Sequence, residues 1–99
     1  MKTKKVYISG KISDLEYKVA YSNFEKAEKE INEKANCYPI NPIKIEHIHD
    51  LSWESYMVED IKALFGCQAI YMLTNWGQSK GARIERAIAL EMGLEIIYQ

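Results

Sequence analysis

No apolar run in this sequence is longer than Ala69 to Leu73, far short of the ~20 residues needed to cross a bilayer. The basic start, Met1-Lys2-Thr3-Lys4-Lys5, does not lead into the long apolar region of a signal peptide, because Val6-Tyr7-Ile8-Ser9-Gly10 reads as a strand. A cytoplasmic protein that does not engage membranes is the expectation. Charge of one sign is also missing: the formal net charge is −1, too small a field to capture nucleic acid, so any basic site must be local. Cysteine is scarce. Cys37 and Cys67 form no C-x-x-C pair and both fall in predicted strands, which favours buried reduced thiols over a disulfide or a zinc site. Internal repeats and low-complexity linkers are absent. So are the G-x-G-x-x-G dinucleotide fingerprint and the P-loop, which makes a Rossmann dehydrogenase or a P-loop kinase a poor reading.

What is present is one small domain, residues 1–99, near the lower end of what buries an adequate core without staples. Its 47% hydrophobic and 27% charged residues are ordinary for a globular chain and set aside disordered and fibrous classes. Lys4 to Ser9 carries Val6, Tyr7 and Ile8 in succession, as a strand buried on both faces of a parallel sheet does. From Ser13 or Asp14 to about Ala35, the positions Ala20, Phe24, Ala27 and Ile31 recur at helical spacing. Cys37 to Asn41 is a weaker strand, which Pro39 pushes to the sheet edge by removing a ladder donor.

Pro42 to Ser52 reads as a long loop, a candidate lid or substrate wall. It holds His47, His49 and Asp50, and without a clear further ligand these are read as surface histidines rather than a metal site. Trp53, Met57, Ile61 and Leu64 mark a helix over Trp53 to Phe65 with Ser52 as its cap; Asp60, in its middle, reads by spacing as a solvated acid. Cys67 to Leu73 is the most apolar strand and belongs at the sheet centre. An Ala-rich helix then runs to Gly93, and Leu94 to Tyr98 closes the chain as a strand. The alternation predicts an α/β fold: a four-stranded parallel sheet in the order 2-1-3-4 with three helices on its faces, flavodoxin-like or Rossmann-like.

In such a sheet ligands bind beyond the carboxyl ends of the strands where the strand order reverses, here between the first and third strands. Ser9, Gly10 and Lys11 leave the first strand there, Asn41 the second, and Thr74 to Gly81 the third. Ser79 can cap the helix that follows, Gly81 leaves backbone N–H groups open to an anion, and Glu85 falls about one and a half turns in. Glycine turns, a helix N-terminus, Lys11 and Lys80 suit a phosphate or ribose, while Trp76 or Tyr7 could stack a base. On spacing alone the plainer reading stays open: Ser79 is only a cap and Glu85 only a solvated carboxylate.

These residues carry a resemblance over nearly the whole chain. Val6 to Gly10, Asn41-Pro42, Trp53 to Leu64 with Asp60, Ile70 to Leu73, Gly81-x-x-x-Glu85-x-x-x-Ala89 and Gly93 to Tyr98 resemble a small uncharacterised family frequent in phage and bacterial genomes. That family is similar to the nucleoside 2-deoxyribosyltransferases and the 2'-deoxynucleoside 5'-phosphate N-hydrolases. The resemblance implies a nucleoside 2-deoxyribosyltransferase-like fold, with Glu85 as nucleophile, Tyr7 as the tyrosine that orients it, and Asp60 as the acid or base. Where the transferases usually carry an aspartate six residues before the nucleophile, this chain has Ser79, as the monophosphate hydrolases do. A serine at a helix N-terminus donates to a 5'-phosphate, whereas a carboxylate would repel it.

Two positions depart from the pattern: Gln68 replaces a common aspartate, and Arg83 replaces the second glycine of Gly-x-Gly-x-Glu. Gln68 is expected to touch support more than chemistry; Arg83 is expected to crowd the turn ahead of Glu85. The first functional reading is therefore an N-glycosidase or deoxyribosyltransferase acting on a (deoxy)nucleoside 5'-monophosphate, with no cofactor and no metal. A second is a nucleotide-binding or sequestering protein without turnover, in which Lys11, Lys80 and Arg83 clamp the anion. A third, a structural interaction domain, rests only on the 7 tyrosines. The expected partners are a small-molecule nucleotide or nucleoside and a second copy of the chain, because a small domain gains by covering more surface and the related enzymes assemble as dimers or larger.

Overall fold

The computed structural model describes residues 4–45 and 52–99. The loop histidines His47 and His49, with Asp50, lie outside the described residues, as does most of the expected lid. Four strands, β1 (Lys4–Ser9), β2 (Cys37–Ile40), β3 (Ala69–Met72) and β4 (Glu95–Tyr98), form one parallel sheet in the order β2-β1-β3-β4. Helices α1 (Tyr17–Asn32), α2 (Trp53–Phe65) and α3 (Lys80–Glu91) alternate with them. Short 3₁₀ turns occupy Pro42–Lys44 and Trp76–Gln78.

The side-chain alternation of β1 divides the core. Val6 and Ile8 point to the face covered by α1, where they pack with Phe24, Ala27 and Ile31. Tyr7 points to the opposite face and joins Leu64 of α2 and Ala82 and Ala89 of α3. Because β1 is hydrogen-bonded on both edges, its residues are screened from every side, and Val6, Tyr7 and Ile8 are fully buried. Pro39 lies on the outer strand, as a residue without an N–H requires.

Four boundaries are tighter than the periodicity predicts, each for a local reason. Helix α1 starts at Tyr17, not at Ser13 or Asp14, because Asp14 takes a left-handed φ of 68° that a helix does not admit. At the far end it stops at Asn32, ahead of Asn36, whose φ is 62°. Cys67 precedes β3, its N–H donating back to Leu64 to finish the end of α2. Gly93, at φ 73°, turns the chain out of α3, and Leu94 bonds back to Ala89 rather than joining β4. Both cysteines are buried free thiols, Cys37 in β2 and Cys67 before β3; burial pushes the Cys67 thiol up to about 11. Among the described residues no helix is long and apolar enough to cross a membrane.

Candidate active site

Tyr7 and Ser9 are two apart on β1 and so face the same way, toward α3. Over them α3 presents the stripe Ala82, Glu85, Ala89, all buried, and the small alanines let the helix lie close enough for the glutamate to reach the strand. The Ser9 hydroxyl donates to Glu85 Oε1 at 2.7 Å, and the Tyr7 hydroxyl donates to Oε2 at 2.8 Å. Both carboxylate oxygens are thus fixed. At 5% exposure Glu85 is not the solvated helix carboxylate that spacing alone allows.

Burial pushes the Glu85 carboxyl up to about 7, and the charge of Asp60 pushes the same way, while the hydroxyls of Ser9 and Tyr7 pull it down by stabilising the ionised form. Tyr7 is held well above its ordinary range, first by burial and then by the charges of Glu85 and Asp60, so it remains a neutral donor. A fully buried ring offers no face for a base to stack on, which removes that expectation for Tyr7.

Asp60 corrects a second expectation. It is 8% exposed, in register with Met57 and Leu64 on the buried stripe of α2, because the acid faces the floor of a cleft rather than bulk water. Burial, with a smaller push from Glu59, raises it to about 7. Its Oδ1 has no hydrogen-bond partner, an arrangement that favours the protonated form and leaves an acid facing the cavity.

The cleft has a volume of about 760 Å³ and is lined, among the described residues, by Tyr7, Gly10, Lys11, Asp60, Ser79 and Glu85, with others discussed below. That size suits a nucleotide-sized ligand. Gly10 is glycine for a steric reason: a Cβ there would stand 2.4 Å from Leu73 Cδ1. Gly81 lets the first turn of α3 approach α2, since a Cβ would meet Met57 Sδ at 3.0 Å. The Lys11 N–H donates to Asn75 Oδ1 at 3.0 Å, tying the exit of β1 to the exit of β3 across the reversal of strand order. Ser79 caps α3, its Oγ accepting the Ala82 N–H at 3.1 Å. Lys80 holds its ammonium over the Trp53 ring, 4.9 Å from the centroid.

Other predicted site residues are placed differently. Asn41 is buried at the end of β2, its Oδ1 accepting the Ile43 N–H at 3.1 Å while Nδ2 has no partner; Pro42 and Ile43 beside it line the cleft. Trp76 is not on the cleft wall, because its ring packs against Arg86 and Tyr98. Gln68 accepts the Lys5 N–H at 2.8 Å, at the other end of β1 from Ser9. Arg83 does not crowd the turn: it is exposed and donates to the Gly77 carbonyl at 2.8 Å. The cleft also gains Tyr17 and Trp53, which sequence reasoning left out. Apolar spacing puts Trp53 on the helical core stripe, yet as the first residue of α2 it is 39% exposed and stands at the rim.

Two buried carboxyls near neutrality, one fixed by hydroxyls and one with an unpartnered oxygen, form a pair able to supply a nucleophile and a proton. Residues 4–98 match the family described as "Domain of unknown function (DUF4406)". The chain belongs to this family. No curated protein matches the DUF4406 chain. Among solved structures it is similar to the 2-desoxiribosyltransferase from Leishmania mexicana, with a TM-score of 0.69 at 18% identity. The match covers 97% of the DUF4406 chain and 63% of that one. The likeness establishes that the two share a fold, the parallel 2-1-3-4 sheet with helices on both faces.

Proposed function

We propose that the protein is an N-glycosidase or deoxyribosyltransferase acting on a (deoxy)nucleoside 5'-monophosphate, with Glu85 as nucleophile. The observation that carries this reading is the buried Glu85 carboxylate held at both oxygens by Tyr7 and Ser9. In the first step a Glu85 oxygen forms a bond to the anomeric carbon as the bond from that carbon to the base nitrogen breaks. The electron pair leaves with the base, and Asp60 gives it a proton. In the second step water or another base attacks the same carbon, its proton passes to Asp60, and Glu85 is released, as in a retaining glycosidase. Tyr7 and Ser9 keep the nucleophile aimed.

Preference for a 5'-phosphate is supported by the α3 N-terminus with Ser79 in place of a carboxylate and by Lys80 beside it. That the structural relative is a 2-desoxiribosyltransferase supports a substrate carrying a deoxyribosyl group. Incubation with deoxynucleoside 5'-monophosphates, followed by chromatography, is expected to show free base. A Glu85→Ala protein that releases base at the wild-type rate would refute the assignment.

The rim favours one further reading. Lys11, Lys80 and Arg83 line the cleft without a carboxylate partner among the described residues, which suits a protein that holds a nucleotide and does not cleave it. Calorimetric binding without any product would select that reading. For either one we propose a homodimer, to be read by sedimentation.

A further inference from the structure

The turn Trp76–Gln78 leads directly into Ser79 and the N-terminus of α3, where the proposed ligand's anionic end is held. Trp76, at its start, packs against the core cluster under α3, but its tip does not. Gly77 and Gln78 are exposed, and a Cβ built on Gly77 would meet nothing within 4 Å. Of its backbone bonds, Gln78 N–H to Asn75 and Ser79 N–H to Trp76 shape the turn, while Trp76 N–H to Leu73 ties its start to the exit of β3.

Two arginines on α3 add side-chain attachments, one of them at the tip. Arg83 donates from a guanidinium nitrogen to the Gly77 carbonyl at 2.8 Å, at the tip. Arg86 places its guanidinium 4.8 Å from the Trp76 ring centroid and donates from Nε to the Tyr98 hydroxyl at 2.8 Å. The Tyr98 ring stands 6.2 Å from Trp76 and 5.8 Å from the same guanidinium, so the indole, the arginine and the last residue of β4 form one cluster. The Glu85 carboxylate is held instead by Tyr7 and Ser9 on β1, one at each oxygen.

We infer that Arg83 and Arg86 are positioning residues that latch the Trp76–Gln78 turn to α3 and thereby set how firmly the ligand is held, with little part in the chemical step. The inference rests on the nucleotide reading above. Its signature is a split between binding and turnover, since the latched turn holds ligand while β1 holds the nucleophile.

The test uses Arg83→Ala, Arg83→Lys, Arg86→Ala and the double alanine variant, assayed for base release from a deoxynucleoside 5'-monophosphate. Arg83→Ala is expected to raise KM about tenfold, the size of a hydrogen bond from a charged donor, with kcat within about twofold of wild type. Arg83→Lys, which keeps a charged donor, recovers most of that loss. Because both arginines hold the same turn, the double variant raises KM by less than the product of the single effects. Hydrogen exchange at the Gln78 and Ser79 amides, measured without ligand, should be faster in Arg83→Ala.

An Arg83→Ala protein with wild-type KM and wild-type exchange overturns the latch. So does a fall in kcat at constant KM, or a double variant whose effects multiply. If the wild-type protein binds the nucleotide without cleaving it, the dissociation constant replaces KM and the same tenfold weakening is expected. If it neither binds nor cleaves, both the nucleotide reading and this role fail. Release by wild type and Arg83→Ala alike removes only this role.

Discussion

The phenolic hydroxyl of Tyr7 donates to Oε2 of Glu85 at 2.8 Å inside a wall that admits no solvent to the ring, joining residues 78 positions apart in the chain. That bond lowers the energy of the ionised carboxylate and opposes the burial that raises it. The reactivity of Glu85 in the proposed chemistry depends on this balance.

Removing the donor should therefore act on rate and on titration together. Tyr7→Phe is expected to lower kcat about 10- to 100-fold, the equivalent of the ~1.5–3 kcal/mol of a hydrogen bond to a charged group. With one stabilising hydroxyl lost, Glu85 ionises at a higher pH, so the acid limb of the pH–rate profile should move up. Base-release rates for both proteins across the pH range check this, and an unmoved limb would separate Tyr7 from the nucleophile.

The wild-type profile itself should be a narrow bell. Glu85 must be ionised to attack, so the rate rises as pH passes about 7. Asp60 must hold a proton to give to the base, so the rate falls as pH passes about 7 on its own account. A kcat/KM profile with its maximum near neutrality is the expected outcome. A rate that keeps climbing to pH 9 would remove Asp60 as the acid.

Stability should respond to the same burial. Asp60 in the folded protein titrates at about 7 against an ordinary 3.8, so the folded state binds the extra proton between those values. Its contribution is fully present below the lower value and is lost as pH rises through the upper one. Asp60→Asn removes the penalty of the buried charge, and its melting temperature should exceed wild type at pH 8 by several degrees, since ~1 kcal/mol is worth about 4–8 °C in a domain this size. Near pH 4 the difference should vanish. Thermal melts at the two pH values decide it.

Gly10→Ala tests the close approach at the exit of β1. The added Cβ would meet Leu73 Cδ1 at 2.4 Å and Leu73 Cβ at 2.8 Å, and Leu73 is itself buried with no room to yield. A loss of about 1–3 kcal/mol is expected, as for other overpacked sites. In a denaturant melt the double variant Gly10→Ala, Leu73→Val should lose less than the sum of the singles, because the smaller side chain makes the space.

The elements with unbroken patterns were readable in advance. Both β1 and α2 have the bounds their apolar spacing predicts, and the sheet order follows from four strands alternating with three helices. Helix α1 begins late because periodicity does not register a left-handed residue such as Asp14. Asp60 was misread because exposure depends on what stands opposite a helix face, and the floor of the cleft is assembled from distant segments. Arg83 was misjudged for the same kind of reason: a long side chain that looks obstructive in sequence has a carbonyl to go to, that of Gly77. The partnership of Ser9 with Glu85 was half legible, since Ser9 is two residues from Tyr7 and must share its face.

Both hydroxyls that grip Glu85 come from β1, a strand bonded on each edge, whereas the rim is made of loops and helix ends. Anchor and rim are therefore separable parts. Under the proposed function, substitutions in the loops would retune what the protein accepts without disturbing the carboxylate, which stays where the sheet puts it.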